Sequence, residues 1–264
     1  MEASPVPQNR IKAALREGRP VTGTMIVEFR QSSLMQMLAN AGFDFAIIDN
    51  EHGPFTIESI AELSRAGRSC GVTPIVRIPE LTYTHITQAL DAGAQGIMIP
   101  RVTEPSQVAE AVQMMKYPPI GRRGSVMARA HTAFRGGPVE PAMEQMNKET
   151  MLVVQIETAE ALASREEIIG VPGVDAALIG PNDLSIAMGI AGKLEDPSFV
   201  SAVESVIAAC VSAGVVPAIH LNELDKAAFW ASKGMRMVSV SSEAGHLVKS
   251  GREAATAVAK AFRP

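Results

Sequence analysis

The sequence predicts a single (β/α)8 barrel, a TIM barrel, over residues 1–264. Three observations carry that expectation. A glycine closes one helical stretch after another, and a short apolar burst follows each time. The bursts are continuous rather than alternating, as strands covered on both faces in a parallel sheet require. The chain of 264 residues is also close to the ~250 residues at which such barrels form one unit.

A tail punctuated by Pro5 and Pro7 and then a helix fill 1–20. The first strand is 21–27 (VTGTMIV), with a helix at 33–41. Gly42 introduces the second strand, 44–49 (DFAIID), and helical spacing resumes over 57–66. Gly71 precedes 73–78 (TPIVRI) and a helix at 85–92, and Gly93 precedes 96–100 (GIMIP). The rhythm then breaks, because 101–150 separates the fourth strand from the fifth. Helices fit at 106–116 and 141–148, with a Gly-, Pro- and Arg-rich stretch at 117–137 between them. An insertion of that length suits a lid or a subunit contact. The fifth strand is 151–156 (MLVVQI), followed by a helix at 161–169. Gly173 introduces 175–180 (DAALIG), and a helix covers 199–213. Gly214 introduces 215–220 (VVPAIH), a helix covers 223–233, and Gly234 introduces 235–240 (MRMVSV). An amphipathic helix at 251–262 closes the chain. Strand–helix alternation repeated in this way favours a closed barrel over an open sheet, and no G-x-G-x-x-G or Walker A loop follows the first strand.

Composition narrows the function classes. At 47% hydrophobic and 20% charged residues the chain is globular, and a net charge of −4 offers no basic stripe for nucleic acid. Two cysteines, Cys70 and Cys210, cannot make a disulfide framework, which favours a reducing compartment. No secretory signal is visible, and no stretch reaches the ~20 apolar residues of a membrane span. The expectation is a soluble cytoplasmic protein with neither a membrane nor a nucleic-acid partner.

In a barrel of this class the chemistry lies at the C-terminal strand ends. Glu157 and Asp183 end adjacent strands, and neighbouring strands run ~4.8 Å apart, so the two carboxylates can converge. Two carboxylates without cysteine or paired histidine read as an oxygen site for Mg²⁺ or Mn²⁺. The alternative is that Glu157 pairs with Arg77 or Arg101 while Asp183 caps a helix opening at Leu184. His52, on the rim after the second strand, suits a proton carrier or a hydrogen bond to a loop carbonyl. Arg77 is a guanidinium inside an apolar strand, facing either a buried carboxylate or an anionic ligand. Glu28 and Arg30 follow the first strand, and His220 and Asn222 end the seventh. His85, His131 and His246 read as structural or solvated. None of the eight lysines ends a strand, which argues against a Schiff-base mechanism, and neither cysteine is placed as a thiolate nucleophile.

The segments IIDNEHGPF, PIVRIPE, GAQGIMIPRV, YPPIGRRG, VVQIETAEAL and LIGPNDLS, in this order, resemble the metal-dependent class II pyruvate aldolases. These are the 4-hydroxy-2-oxoheptane-1,7-dioate and 2-keto-3-deoxy sugar-acid aldolases, and the likeness runs from about Val21 to Gly251. It implies reversible carbon–carbon bond formation between an aldehyde and the enolate of pyruvate or hydroxypyruvate. It implies that Glu157 and Asp183 hold a divalent cation, Mg²⁺ or Mn²⁺ with Co²⁺ a further option. Gln155 and Asn182, with Asp183, would contact the 2-oxo acid. His52 would move the proton and Arg77 would stabilise the enolate oxygen. Asp91 would raise the basicity of His52, although its place before the fourth strand puts it on the opposite rim. A contact between subunits would reconcile the two. The likeness further implies a homohexamer whose C-terminal helix packs on a neighbour. The sequence departs from the family at Glu28-Phe29-Arg30, where small and hydroxyl residues are usual, and at Asn182, where alanine is common. Two other classes stay open: a CoA-ester lyase of the malate or citrate type, its nucleotide held by the arginines of 121–135, and a non-catalytic barrel that binds small acids.

Overall fold

The computed structural model describes residues 6–262; the first five residues of the expected tail and the last two of the chain lie outside the described residues. Its elements are α1 (Arg10–Arg16), β1 (Val21–Ile26), α2 (Ser33–Asn40), β2 (Phe45–Asp49), α3 (Ile57–Cys70), β3 (Thr73–Arg77), α4 (Tyr83–Asp91), β4 (Gly96–Ile99) and α5 (Pro105–Met115). Then come α6 (Val139–Glu149), β5 (Met151–Ile156), α7 (Ala159–Ala163), α8 (Arg165–Ile169), β6 (Ala176–Ile179), α9 (Pro181–Ala187), α10 (Pro197–Ala213), β7 (Val216–Leu221), α11 (Lys226–Ser232), β8 (Met237–Ser242) and α12 (Glu243–Phe262). The strands pair in parallel from β1 round to β8, and β8 closes on β1. This is the (β/α)8 barrel expected from the sequence.

The continuous apolar bursts are explained by two separate layers. Phe45, Ile47, Ile75, Met98, Met151, Val153, Leu178, Ala218 and Met237 point into the barrel, where Ile11 and Ala14 of α1 plug the floor. The alternate residues, among them Ile48, Val76, Ile97, Val154, Ile179 and Ile219, pack under the helices. Both faces of each strand are thus buried, which removes the reason for polar alternation. One glycine serves the interior directly: a Cβ on Gly23 would stand 2.4 Å from the Phe45 ring. The six glycines expected to follow helices all have positive φ, from 67° at Gly214 to 113° at Gly93, a region that costs an L-residue but not glycine.

Several boundaries differ from expectation; α12 opens at Glu243 and not at 251, and α3 runs on to Cys70. The stretch 161–169 belongs to two short helices that meet at Ser164. β8 starts two residues late, because Met235 donates its N–H to the Trp230 carbonyl (3.1 Å) and so completes the end of α11. α9 opens at Pro181 with Gly180 as its cap, so Asp183 is the third helical residue and not the cap. A proline at the first helical position, preset in φ and with no N–H to leave unpaired, accounts for the earlier start.

α12 follows β8 without a loop. Its first residue, Glu243, is buried, yet every residue from Leu247 to Phe262 is exposed, including Leu247, Val248, Val258 and Phe262. The Glu243 carboxylate reaches across to the loop after β1. It accepts backbone N–H bonds from Val27 (3.0 and 2.9 Å), Glu28 (2.6 Å) and Phe29 (2.8 Å). Among the described residues no helix is long and apolar enough to cross a membrane.

Candidate active site

The C-terminal strand ends surround a cavity of about 210 Å³. Met25, Ile47, Met98 and Leu178 form its apolar floor, and Asp49, His52, Arg77, Gln155, Gly180, Asn182, Asp183, His220 and Asn222 line the rest. A larger groove of about 380 Å³ lies beside it, between Leu194, Phe199, Phe229 and Trp230, but its lining does not include Asp49, Asp183, His52 or Arg77.

Asp49 and Arg77 are the last residues of β2 and β3 and stand opposite each other in register. Arg77 donates from Nε to Asp49 Oδ1 at 2.9 Å and from Nη2 to Oδ2 at 2.7 Å, while Nη1 lies 3.0 Å from Glu51 Oε2. Burial works against the charged guanidinium, but the bonds and charges of Asp49 and Glu51 outweigh it and raise its pKa. Asp49 Oδ1 also accepts the backbone N–H groups of Glu51 (3.1 Å) and His52 (3.3 Å), which fixes the loop that carries the histidine. The His52 side chain is largely exposed at the mouth, with Nε2 at 3.8 Å from Glu51 Oε2.

Across the cavity, Glu157 follows β5 and is buried. Its Oε1 accepts the N–H of Arg101 at 2.9 Å, and its Oε2 accepts from the Gln155 amide. Arg101 adopts φ 52° to make that bond, a left-handed conformation uncommon for a side chain of its size. Gly180 packs against the same carboxylate, where a Cβ would stand 2.6 Å from Glu157 Oε2 and 2.9 Å from Gln155 Nε2. Desolvation pushes the Glu157 carboxyl up to about 7. The Arg101 N–H opposes this shift, and the negative charges of Asp183 and Glu51 add to it. Neither Arg77 nor Arg101 offers Glu157 a side-chain ion pair, since Arg77 is held by Asp49 and Glu51.

These residues fit a divalent cation. Asp49, Glu51, Glu157 and Asp183 outnumber Arg77 and leave a surplus of negative charge at a partly desolvated site. The Gln155 Oε1 is buried without a hydrogen-bond partner beside that surplus. Among the described residues no group of three or more His, Cys, Asp or Glu is placed to hold a metal ion. A hard cation held by one or two carboxylates keeps its other positions for water and substrate.

The structure therefore brings His52, Arg77, Gln155, Asn182 and Asp183 to one cavity, with Glu157 behind Gln155. Asp91 is elsewhere. It ends α4 on the opposite rim, where Arg123 Nη2 donates to its Oδ1 at 2.5 Å and His131 Nδ1 lies at 3.7 Å. The helix boundary is where the sequence puts it, and within this chain Asp91 serves Arg123 and not His52. Of the arginines of 121–135, Arg122 pairs with Glu110 and the buried Arg123 is held by Asp91. Sequence reading gave no role to Asp49 or His220. The matched ends of the second and third strands were a usable signal for Asp49.

A family model described as HpcH/HpaI aldolase/citrate lyase matches residues 24–250. The chain is 35% identical over 212 residues to a hydroxypyruvate/pyruvate aldolase of Agrobacterium fabrum, covering 80% of this chain and 78% of that protein. It is 35% identical over 235 residues to a 4-hydroxy-2-oxo-heptane-1,7-dioate aldolase of Shigella sonnei, covering 88% of each. A solved HpcH/HpaI aldolase from Desulfitobacterium hafniense superposes with a TM-score of 0.90 at 31% identity, over 94% of this chain and 96% of that one.

Proposed function

This chain belongs to the HpcH/HpaI aldolase/citrate lyase family, and from that premise we propose that it is a metal-dependent aldolase joining a 2-oxo acid to an aldehyde, and cleaving the product. One observation carries the site assignment: a buried Glu157 carboxyl pushed up to about 7, in part by the Asp183 charge, directly behind the wall of a cavity lined by Gln155, Asp183, Arg77 and His52. Glu157 and Asp183 would hold Mg²⁺ or Mn²⁺, with Co²⁺ a further candidate. A divalent cation bound there supplies a Lewis acid that polarises the 2-keto group.

The chain's own residues account for the rest. The backbone N–H groups of Asn182 and Asp183, in the first turn of α9 after Pro181, would face the substrate carboxylate where helix N–H groups are unpaired. The Gln155 amide orients Glu157 and contacts the 2-oxo acid, and Asn182 lines the same wall. Arg77, locked by Asp49, donates toward the C2 oxygen as negative charge develops there. In the synthetic direction His52 takes a proton from C3 of pyruvate, the electron pair left behind attacks the aldehyde carbon as its carbonyl π bond opens onto oxygen, and His52 returns the proton to that oxygen as the 4-hydroxyl. In cleavage His52 takes the proton of the 4-hydroxyl, and the bond between C3 and C4 breaks.

We assign assembly to a homohexamer through α12, whose exposed Leu247, Val248, Val258 and Phe262 want a partner surface. Asp91, being remote from His52 within the chain, would act on the His52 of another copy. A cytoplasmic setting fits the two unpaired cysteines, Cys70 and Cys210.

The test is deuterium uptake into the methyl group of pyruvate in D₂O, followed by NMR with Mg²⁺, Mn²⁺ or EDTA. Exchange that needs metal, vanishes in Glu157→Ala and falls sharply in His52→Ala is the expected result. No exchange of pyruvate or hydroxypyruvate protons with any metal overturns the reading.

A further inference from the structure

The chemistry above uses the β2, β3, β5 and β6 side of the cavity and leaves the side made by β7, β8 and β1 without a role. Met25 and Val27 line that side with apolar surface, and the polar lining residues there are His220 and Asn222. His220 lies on β7 two residues beyond the inward-facing Ala218, so it points into the barrel. Its Nδ1 is 2.9 Å from the Oγ of Ser239, its register partner on β8. Ser239 is fully buried, and Asn222 lines the cavity beside the ring.

Desolvation and the nearby Arg77 charge push the His220 pKa down to about 4, against the opposing pull of the Asn222 side chain, so the ring is neutral at neutral pH. A neutral imidazole pinned at one nitrogen, with an amide beside it, has both donor and acceptor capacity. Its complement is a hydroxyl, which also donates and accepts. A carboxylate would find no free cation here, since the nearby Arg77 is already held by Asp49 and Glu51, and an alkyl chain would cover polar atoms without pairing them.

We propose that His220, held by Ser239 and flanked by Asn222, is a specificity-determining residue that hydrogen-bonds a hydroxyl of the electrophile, so that the preferred acceptor is an uncharged hydroxyaldehyde. The proposal rests on the aldolase reading. With the 2-oxo acid at the Glu157–Asp183 wall, the electrophile lies along the arc from β7 to β1, where a polar contact at one point discriminates strongly.

The experiment uses the full-length enzyme with Mn²⁺ and pyruvate, and compares kcat/KM for glycolaldehyde and glyceraldehyde with that for propanal and succinic semialdehyde. The wild type should favour the hydroxyaldehydes over propanal by ~10-fold or more, as one hydrogen bond of ~1.4 kcal/mol allows. His220→Leu should erase that preference and leave propanal turnover and pyruvate exchange within about twofold. His220→Gln, which keeps a donor and an acceptor, should restore part of the preference. An unchanged ratio in His220→Leu overturns the proposal, as does a wild type that favours the carboxylated aldehyde. If His220→Leu does not fold, Ser239→Ala reads the same point: a reduced ratio with exchange intact supports it, and an unchanged ratio overturns it. Loss of pyruvate exchange in the wild type is a different failure, since it removes the aldolase reading itself.

Discussion

Arg77 and Asp49 form a two-pronged pair, Nε to Oδ1 at 2.9 Å and Nη2 to Oδ2 at 2.7 Å, with both side chains nearly free of solvent. The planar fork holds the guanidinium at one angle to the cavity, which a flexible ammonium would not reproduce. Arg77→Lys should therefore keep the barrel folded and lower turnover by ~10²–10³, the usual loss when a donor to a developing oxyanion is misplaced. Asp49→Ala should do more harm to the fold, since Arg77 then keeps only Glu51 as a partner and breaking a buried pair costs up to ~3–5 kcal/mol. Chemical denaturation of the two variants separates these outcomes, and wild-type rates in Arg77→Lys would remove the role assigned to the fork.

Glu157 gives the apo protein a definite pH dependence. Its carboxyl titrates near 7 folded against an ordinary 4.5, so the stability it contributes is complete below pH 4.5 and is lost as pH rises through about 7. The loss is on the order of 3 kcal/mol. Glu157→Gln should be more stable than the apo wild type at pH 8, with the difference shrinking toward pH 5. Added Mg²⁺ or Mn²⁺ should stabilise the wild type well at pH 8, poorly at pH 6, and the variant at neither. Thermal melts at the two pH values with and without metal decide it.

Gly180 has an ordinary φ of −94°, so its replacement tests space and not backbone strain. Gly180→Ala would place a methyl 2.6 Å from Glu157 Oε2, and the carboxylate must move. Misplacement of about 1 Å in such a site costs ~10²-fold in rate. A folded Gly180→Ala barrel with reduced metal affinity, read by titration calorimetry, is the expected outcome. Unaltered affinity would mean that Glu157 is not a ligand.

Asp91 can be tested by mixing subunits. His52→Ala and Asp91→Asn should each be impaired alone. If Asp91 acts on another copy's His52, co-refolded mixtures regain part of the pyruvate exchange, because some sites then receive an intact residue from each chain. Mixtures that show only the average of the two parents exclude that arrangement.

Much of this architecture was legible because it follows from local rules. Gly42, Gly71 and Gly93 mark helix ends by the one conformation they tolerate cheaply, and the apolar bursts behind them leave little choice of strand. Glu157 and Arg77 stood out for the same reason, as charges in segments that otherwise bury themselves. Asp49 and Gly180 were harder, since their work is done on residues 28 and 23 positions away, through strand register and close packing that spacing does not display. His220 looked like the end of a strand until Ser239, brought alongside by β8, gave its ring a fixed orientation. The late start of β8 depended on how Met235 finishes α11, a hydrogen bond with no signature in composition.

The bonds from Glu243 to Val27, Glu28 and Phe29 tether the loop after β1 to the first turn of α12. That helix leaves the barrel at once and exposes everything beyond its second turn. Whatever grips its far end holds a rigid handle of 20 residues whose base is bolted to one lip of the active-site mouth. A load on α12 is thereby passed to the loop after β1, whose Val27 lines the cavity, and a substitution at Glu243 would free that loop from the helix.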